Sequence, residues 1–286
     1  GGILGVLIPP SVVFIVYGVV TEQSIGKLFI SGIGPGILLM LLYILAIFIL
    51  TKKNPKLAPP GPRATWKERW QALAGSLGEV VVVFGISIGG LSLGWFTPTE
   101  AGAVGAGGLL LVVLVKKSLT WEGFKNSLAD TARTTAMIMF IIACATIFGR
   151  FIAISRIPFA LATWVGTLPL PPAVIMWMIV LFYLVAGCVI DALPMVLLTI
   201  PIFYPIVLDL GYNPIWFGVV IVLVAGMGNI TPPVGMNVYI IKGVAKDVPL
   251  EVIFKGIWPF LFCLIIAVGL IMIFPQIALF LPSFLM

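Results

Sequence analysis

Residues 8–36 read IPPSVVFIVYGVVTEQSIGKLFISGIGPG, and residues 231–260 read TPPVGMNVYIIKGVAKDVPLEVIFKGIWPF. Each stretch opens on a proline pair, Pro9-Pro10 or Pro232-Pro233, and continues as a short apolar helix to Gly18 or Gly243. A polar elbow follows, then an amphipathic turn carrying Phe29 or Phe254, then Gly-Ile-x-Pro at Gly32 to Pro35 and at Gly256 to Pro259. The shared order and spacing mark two copies of one unit.

The prolines say what the unit does to a helix. Proline lacks an N–H and clashes with the carbonyl four residues earlier, so Pro9 and Pro10 release the carbonyls of Gly5 and Val6. Pro232 and Pro233 release those of Gly228 and Asn229 by the same rule. Gly1, Gly2 and Gly5 before the first pair, and Gly226 and Gly228 before the second, let the backbone leave helical geometry. Ser11, Asn229, Thr231 and Asn237 add side-chain oxygens nearby. Unpaired carbonyls in an apolar medium cost several kcal/mol each unless something binds them. A hard, oxygen-seeking cation such as sodium suits them, by extension from other hard cations. The half-helices after each break point their N-termini inward, which favours anionic groups of a substrate.

The medium is lipid. Of the 286 residues, 61% are hydrophobic and 9% charged, and the mean hydropathy is +1.24. Such a chain cannot hide its apolar surface in a water-soluble ball, so a polytopic all-α bundle is expected. The net charge of +6 lies in short basic blocks between apolar runs, where orientation signals sit, which argues against a nucleic-acid partner. There is no His, and Cys144, Cys188 and Cys263 have no metal or redox spacing, which argues against a zinc site, a redox centre or a His-based triad. An intramembrane enzyme would need such groups or paired Asp residues, so no enzymatic activity is expected.

Lys52, Lys53, Lys56, Arg63, Lys67 and Arg69 place the 51–76 loop in the cytoplasm. From there the hydropathy predicts helices near 33–50, 77–96, 100–115 and 131–154, a crossing over 213–242 and a last helix from about Ile257. Lys116, Lys117 and Lys125, then Lys242, Lys246 and Lys255, fall on the cytoplasmic side only if 172–209 enters and leaves on one face. That segment reads as a re-entrant hairpin whose arms, 172–190 and 192–208, meet at Asp191, with Pro194, Pro201 and Pro205 keeping the second arm irregular. Two ordinary short spans are the alternative. The same bookkeeping places the two proline units in opposite orientations, and inverted repeats with discontinuous helices are the signature of secondary transporters. The chain divides into the end of a first repeat (1–50), the cytoplasmic loop (51–76) and a second repeat (77–286).

Among the ionisable groups within apolar runs, Asp191 either helps hold a cation or caps the second arm. Glu100 follows Thr97-Pro98-Thr99 and reads as part of a helix cap. Arg133 can snorkel to the interface, and Arg150 and Arg156 near the outer end read as solvated or lipid-headgroup contacts, with an acidic partner surface as the alternative.

Together, GGILGVLIPPS at the start, FTPTEA at Phe96 to Ala101, and GNITPPVGMN at 228–237 after Gly211-Tyr212-Asn213 and Phe217-Gly218 resemble a known family over essentially the whole chain. It is the large membrane subunit of tripartite ATP-independent periplasmic (TRAP) transporters. The resemblance implies an elevator-type carrier in the bacterial inner membrane, driven by a sodium gradient. It would import small organic acids of the dicarboxylate or sialic acid type, brought by a soluble periplasmic binding protein. A small four-helix membrane subunit would complete the complex, with no cofactor beyond the coupling sodium. It also implies two sodium sites. One would use the first broken helix, with Gly2, Gly5, Val6, Pro9 and Ser11. The other would join a hairpin tip at about Gly187 to Thr199, including Asp191 and Thr199, to Gly226, Gly228, Asn229, Thr231, Pro232 and Asn237. In the family a first hairpin precedes the first broken helix, so the chain is expected to be N-terminally truncated and to hold half of the first site. A self-sufficient anion carrier of the same broad fold, needing no binding protein, is the competing function, and a channel would not need inverted broken helices.

Overall fold

The computed structural model describes residues 1–55, 61, 64–72, 78–167, 169–232 and 235–285. Lys56 and Arg63 of the basic loop, and Pro233 of the second break, lie outside the described residues. Every regular element among the described residues is a helix. The order is α1 (Gly2–Leu7), α2 (Val12–Thr21), α3 (Ile25–Lys53), α4 (Trp66–Ala72), α5 (Gly78–Ser92), α6 (Pro98–Val115) and α7 (Trp121–Ile154). Then come α8 (Ile157–Thr167), α9 (Pro172–Gly187), α10 (Ala192–Asp209), α11 (Pro214–Gly228), α12 (Met236–Val244), α13 (Leu250–Ile273) and α14 (Gln276–Leu285).

Six stretches among the described residues have the length and apolarity to cross a membrane: Gly2–Thr21, which contains the first break, Ile25–Lys53, Pro98–Val115, Trp121–Ile154, Ala192–Asp209 and Leu250–Ile273. Their outward faces carry large apolar side chains such as Leu45, Phe48 and Phe262, the surface a lipid solvent requires. This is a polytopic all-α membrane protein.

Contacts gather residues 1–50 and 141–286 into one compact unit and 51–140 into another. The first unit is centred on α11. Ile215 to Gly228 are all buried, as expected of a helix that is apolar on every side. Asn213 caps α11 by accepting from the Ile215 and Trp216 N–H groups, and Pro214 supplies the first helical position, where no N–H is missed. Helices α9, α10, α1, α2, α13 and α14 pack around it. In the second unit α5 and α6 pair. Gly105 and Gly108 of α6 lie against Ser87 and Val83 of α5, whose backbones small residues allow to approach. The Ser87 hydroxyl donates to the Ala101 carbonyl, and Lys116 pairs with Glu79 at 2.6 Å. Thr97, Pro98 and Glu100 form the expected cap, a full capping box with Pro in the first turn.

The hydropathy reading sets several boundaries differently. The amphipathic turns carrying Phe29 and Phe254, expected apart from helices beginning near 33 and 257, instead belong to α3 and α13, which run unbroken through Pro35 and Pro259. A single interior proline costs about 3 kcal/mol, less than leaving a whole turn of backbone unpaired in lipid. The second hairpin arm, expected to be irregular, is the regular helix α10. Pro194 falls in its first turn, where no N–H is needed, and Pro201 and Pro205 are absorbed within it. Helix α7 starts ahead of the expected 131, at Trp121, because its polar residues Glu122, Lys125 and Arg133 are simply exposed on a continuous helix. Helices α4, α8 and α14 were not legible from hydropathy.

Candidate ion-binding site

Both breaks are present, and both leave their helices at the glycines and prolines. Helix α1 ends at Leu7, residues 8–10 bend, and α2 restarts with Ser11 as its cap, the Ser11 Oγ accepting from the Phe14 N–H at 3.5 Å. Helix α11 ends at Gly228 and α12 restarts at Met236 from Gly235, whose φ of +59° lies in the left-handed region that glycine tolerates.

The carbonyls freed by proline have different fates at the two breaks. At the first break, among the described residues, no backbone N–H outside α1 donates to the Gly5 or Val6 carbonyl. The Leu7 carbonyl rests on Gly32 of α3, where a Cβ would collide with it. At the second break the expectation of unpaired carbonyls is corrected. The Gly228 carbonyl accepts from the Thr231 N–H at 3.0 Å, and the Asn229 carbonyl accepts from the Asn237 N–H at 3.1 Å. Proline removed the helical donors, and the chain refolded locally to supply others.

One side-chain atom at the second break is unsatisfied among the described residues. The Oδ1 of Asn229 is shut off from solvent and takes no hydrogen bond among the described residues. Its partner atom Nδ2 donates to the Asp191 Oδ1 at 3.1 Å. Asp191 sits between α9 and α10, at the tip of the helical hairpin. It occupies the N-cap position of α10 without making a cap hydrogen bond, so the capping role open to it in the sequence is not the one it takes.

The hairpin tip lies directly on the break. Gly187 at the end of α9 faces the Ala225 carbonyl and the Gly228 backbone, and a Cβ on Gly228 would fall on the Gly187 backbone. Gly226 faces Ile3 of α1, which brings the first broken helix against the second. Gly2 and Asn237 line one cavity of about 750 Å³, walled by Tyr43, Ile241 and Phe260 and mostly apolar.

Other expected site residues go elsewhere. Thr199 lies two turns below the tip, about 12 Å along the helix from Asp191. Its hydroxyl donates to the Met195 carbonyl at 2.7 Å and meets the Tyr183 hydroxyl at 2.6 Å. Thr231 donates its hydroxyl to the Met227 carbonyl at 2.7 Å. Arg150 lines a smaller cavity of about 360 Å³ with Val20, Thr146 and Pro201, and Arg133 is exposed on α7. The sequence did not reveal the Gly187–Gly228 contact or the Tyr183–Thr199 pair. The glycines and the Tyr were visible, but nothing local says which distant residue each meets.

A paired set of broken helices with a hairpin seated on one break is the arrangement expected of a carrier. Comparison with known families decides which. The family model described as tripartite ATP-independent periplasmic transporter, DctM component, matches residues 1–277. The chain belongs to this family. The TRAP large permeases it resembles include the C4-dicarboxylate permease DctM of Pseudomonas aeruginosa, 36% identical over 99% of this chain and 66% of that protein. They also include the sialic acid permease SiaM of Vibrio cholerae, 35% identical over 98% of this chain and 65% of that one. A third is the ectoine permease TeaC of Halomonas elongata, 36% identical over 96% and 64%. The chain spans about two thirds of the length of these TRAP relatives.

Proposed function

We propose that this chain is the permease of a sodium-coupled TRAP transporter in the cytoplasmic (inner) membrane, importing small organic acids. A periplasmic binding protein delivers the substrate and a small four-helix membrane subunit completes the complex. The observation that carries the reading is the meeting of the α9–α10 tip with the second break, where a buried amide oxygen has no hydrogen bond among the described residues. An oxygen ligand already stripped of water is what a hard cation needs, so Asn229 and the surrounding Gly226, Gly228, Thr231 and Asn237 backbone fit sodium. Gly2, Gly5, Val6 and Ser11 at the first break would contribute to a second ion site. The hairpin is re-entrant in this reading. Helix α9 is too short to span alone, and although α10 has the length, its turn at 188–191 is held against the break in α11.

The substrate class follows the family range, from C4-dicarboxylates and sialic acid to ectoine. All carry a carboxylate, which suits inward-pointing helix N-termini. Proteoliposomes holding the intact permease complex, given an inward sodium gradient, should accumulate radiolabelled succinate, sialic acid or ectoine when loaded binding protein is added outside. Accumulation of the same substrate without a sodium gradient would sink the coupling. Full uptake without any binding protein would replace the tripartite reading with a self-sufficient anion carrier.

A further inference from the structure

We propose that Asp191 is a positioning residue, which holds the Asn229 side-chain amide so that Oδ1 is presented at the second break. The inference rests on the sodium reading above and concerns how the site is built. An Asp at an N-cap normally accepts from the N–H of the second or third helical residue. Here the third helical residue of α10 is Pro194, which has no N–H, and no cap bond forms at all. The carboxylate is therefore available across the tip, and it takes the Asn229 Nδ2 at 3.1 Å.

That bond determines which way the amide faces. An ionised carboxylate only accepts, so the amide must turn its NH2 toward Asp191 and its oxygen away. The Asn229 backbone is already held on both sides, its N–H by the Ala225 carbonyl at 3.2 Å and its carbonyl by the Asn237 N–H at 3.1 Å. Side-chain rotation is the remaining freedom, and Asp191 removes it. Asp191 itself is exposed, whereas the Asn229 Oδ1 is buried and without a hydrogen bond among the described residues. The negative charge thus stands outside the pocket and acts through the amide, as outer partners of metal ligands do.

The test uses sodium alone as the probe. The purified intact complex is titrated with sodium chloride against choline chloride at constant ionic strength, and the thermal unfolding midpoint is followed. Wild type should be stabilised in a saturable way. Asp191→Asn can turn either its oxygen or its NH2 toward Asn229, so it no longer fixes the amide and should fall between wild type and Asp191→Ala. Asp191→Ala frees the amide and should raise the half-saturating sodium concentration by about 10–100-fold, the usual effect of losing an outer partner. Asn229→Ala should lose at least as much, and the Asp191→Ala, Asn229→Ala pair no more than Asn229→Ala alone, because the two act as one unit. If Asp191→Ala titrates as wild type does, Asp191 does not set the amide and the positioning role is overturned. Additive losses in the double variant overturn it as well. Circular dichroism and gel filtration of each variant separate misfolding from weak binding, and Asp191→Asn, isosteric at an exposed site, keeps the comparison usable. Absence of any sodium response in wild type is a different failure, since it removes the sodium reading itself.

Discussion

At Gly228 the lack of a side chain is a packing requirement, because a Cβ would overlap the Gly187 backbone, which cannot rotate aside as a side chain does. Gly228→Ala should therefore destabilise the protein by about 1–3 kcal/mol, the range for overpacking. Gly243→Ala in α12 meets nothing within 4 Å and should be neutral or stabilising by up to about 1 kcal/mol, because alanine favours helix. Thermal unfolding in detergent ranks the two, and the reverse order would show that the hairpin tip does not rest on the break. Gly228 was legible as a glycine just before the proline pair, and Gly243 as the end of the short helix after it. Which of them is pressed against another backbone was not, because the contact depends on a residue in a different helix. Asp191 shows the same division. Its position at an apolar helix start was plain, but the choice between cap and cation ligand was open, and the structure puts a bond to Asn229 in place of the cap.

At the scale of the element, the breaks followed from the prolines, since a missing N–H is a property of the residue itself. The fate of the freed carbonyls was not, since at the second break Thr231 and Asn237 supply substitute donors. Replacing Pro232 and Pro233 together by Ala would add two N–H groups able to compete for the Gly228 and Asn229 carbonyls. Helix would then re-form toward α12, moving Asn229 off the hairpin tip. Uptake by that variant should lose its dependence on a sodium gradient, measured in proteoliposomes of the intact complex, and unchanged dependence would reject the break as the coupling element. The prolines of α10 carried a different outcome from the same chemistry. Pro194 sits where no N–H is needed, so the helix starts cleanly and the cap donor is lost instead.

Across the whole molecule, the two broken helices pack within one unit although they lie at opposite ends of the chain. Tyr17 of α2 is fully buried and its hydroxyl donates to the Pro214 carbonyl at 2.7 Å, tying α2 to the start of α11. Gln23 and Tyr204 add a second tie at 3.1 Å. Tyr17→Phe should lower stability by about 1 kcal/mol, within the range measured for buried and intramembrane hydrogen bonds. Chemical or thermal unfolding checks it, and an unchanged midpoint would mean that the Pro214 carbonyl finds another donor. By itself the sequence determined the lipid solvent, the helical class, the two proline breaks, the Thr97 cap and the family motifs, because each is a property of composition or of a few neighbouring residues. Only the tertiary structure decided that α3 and α13 absorb their prolines, that Thr199 turns to Tyr183, and that the Asn229 side-chain oxygen at the second break is buried without a hydrogen bond among the described residues. Those outcomes depend on which donors and backbones distant segments bring within reach, and no local pattern encodes that distance.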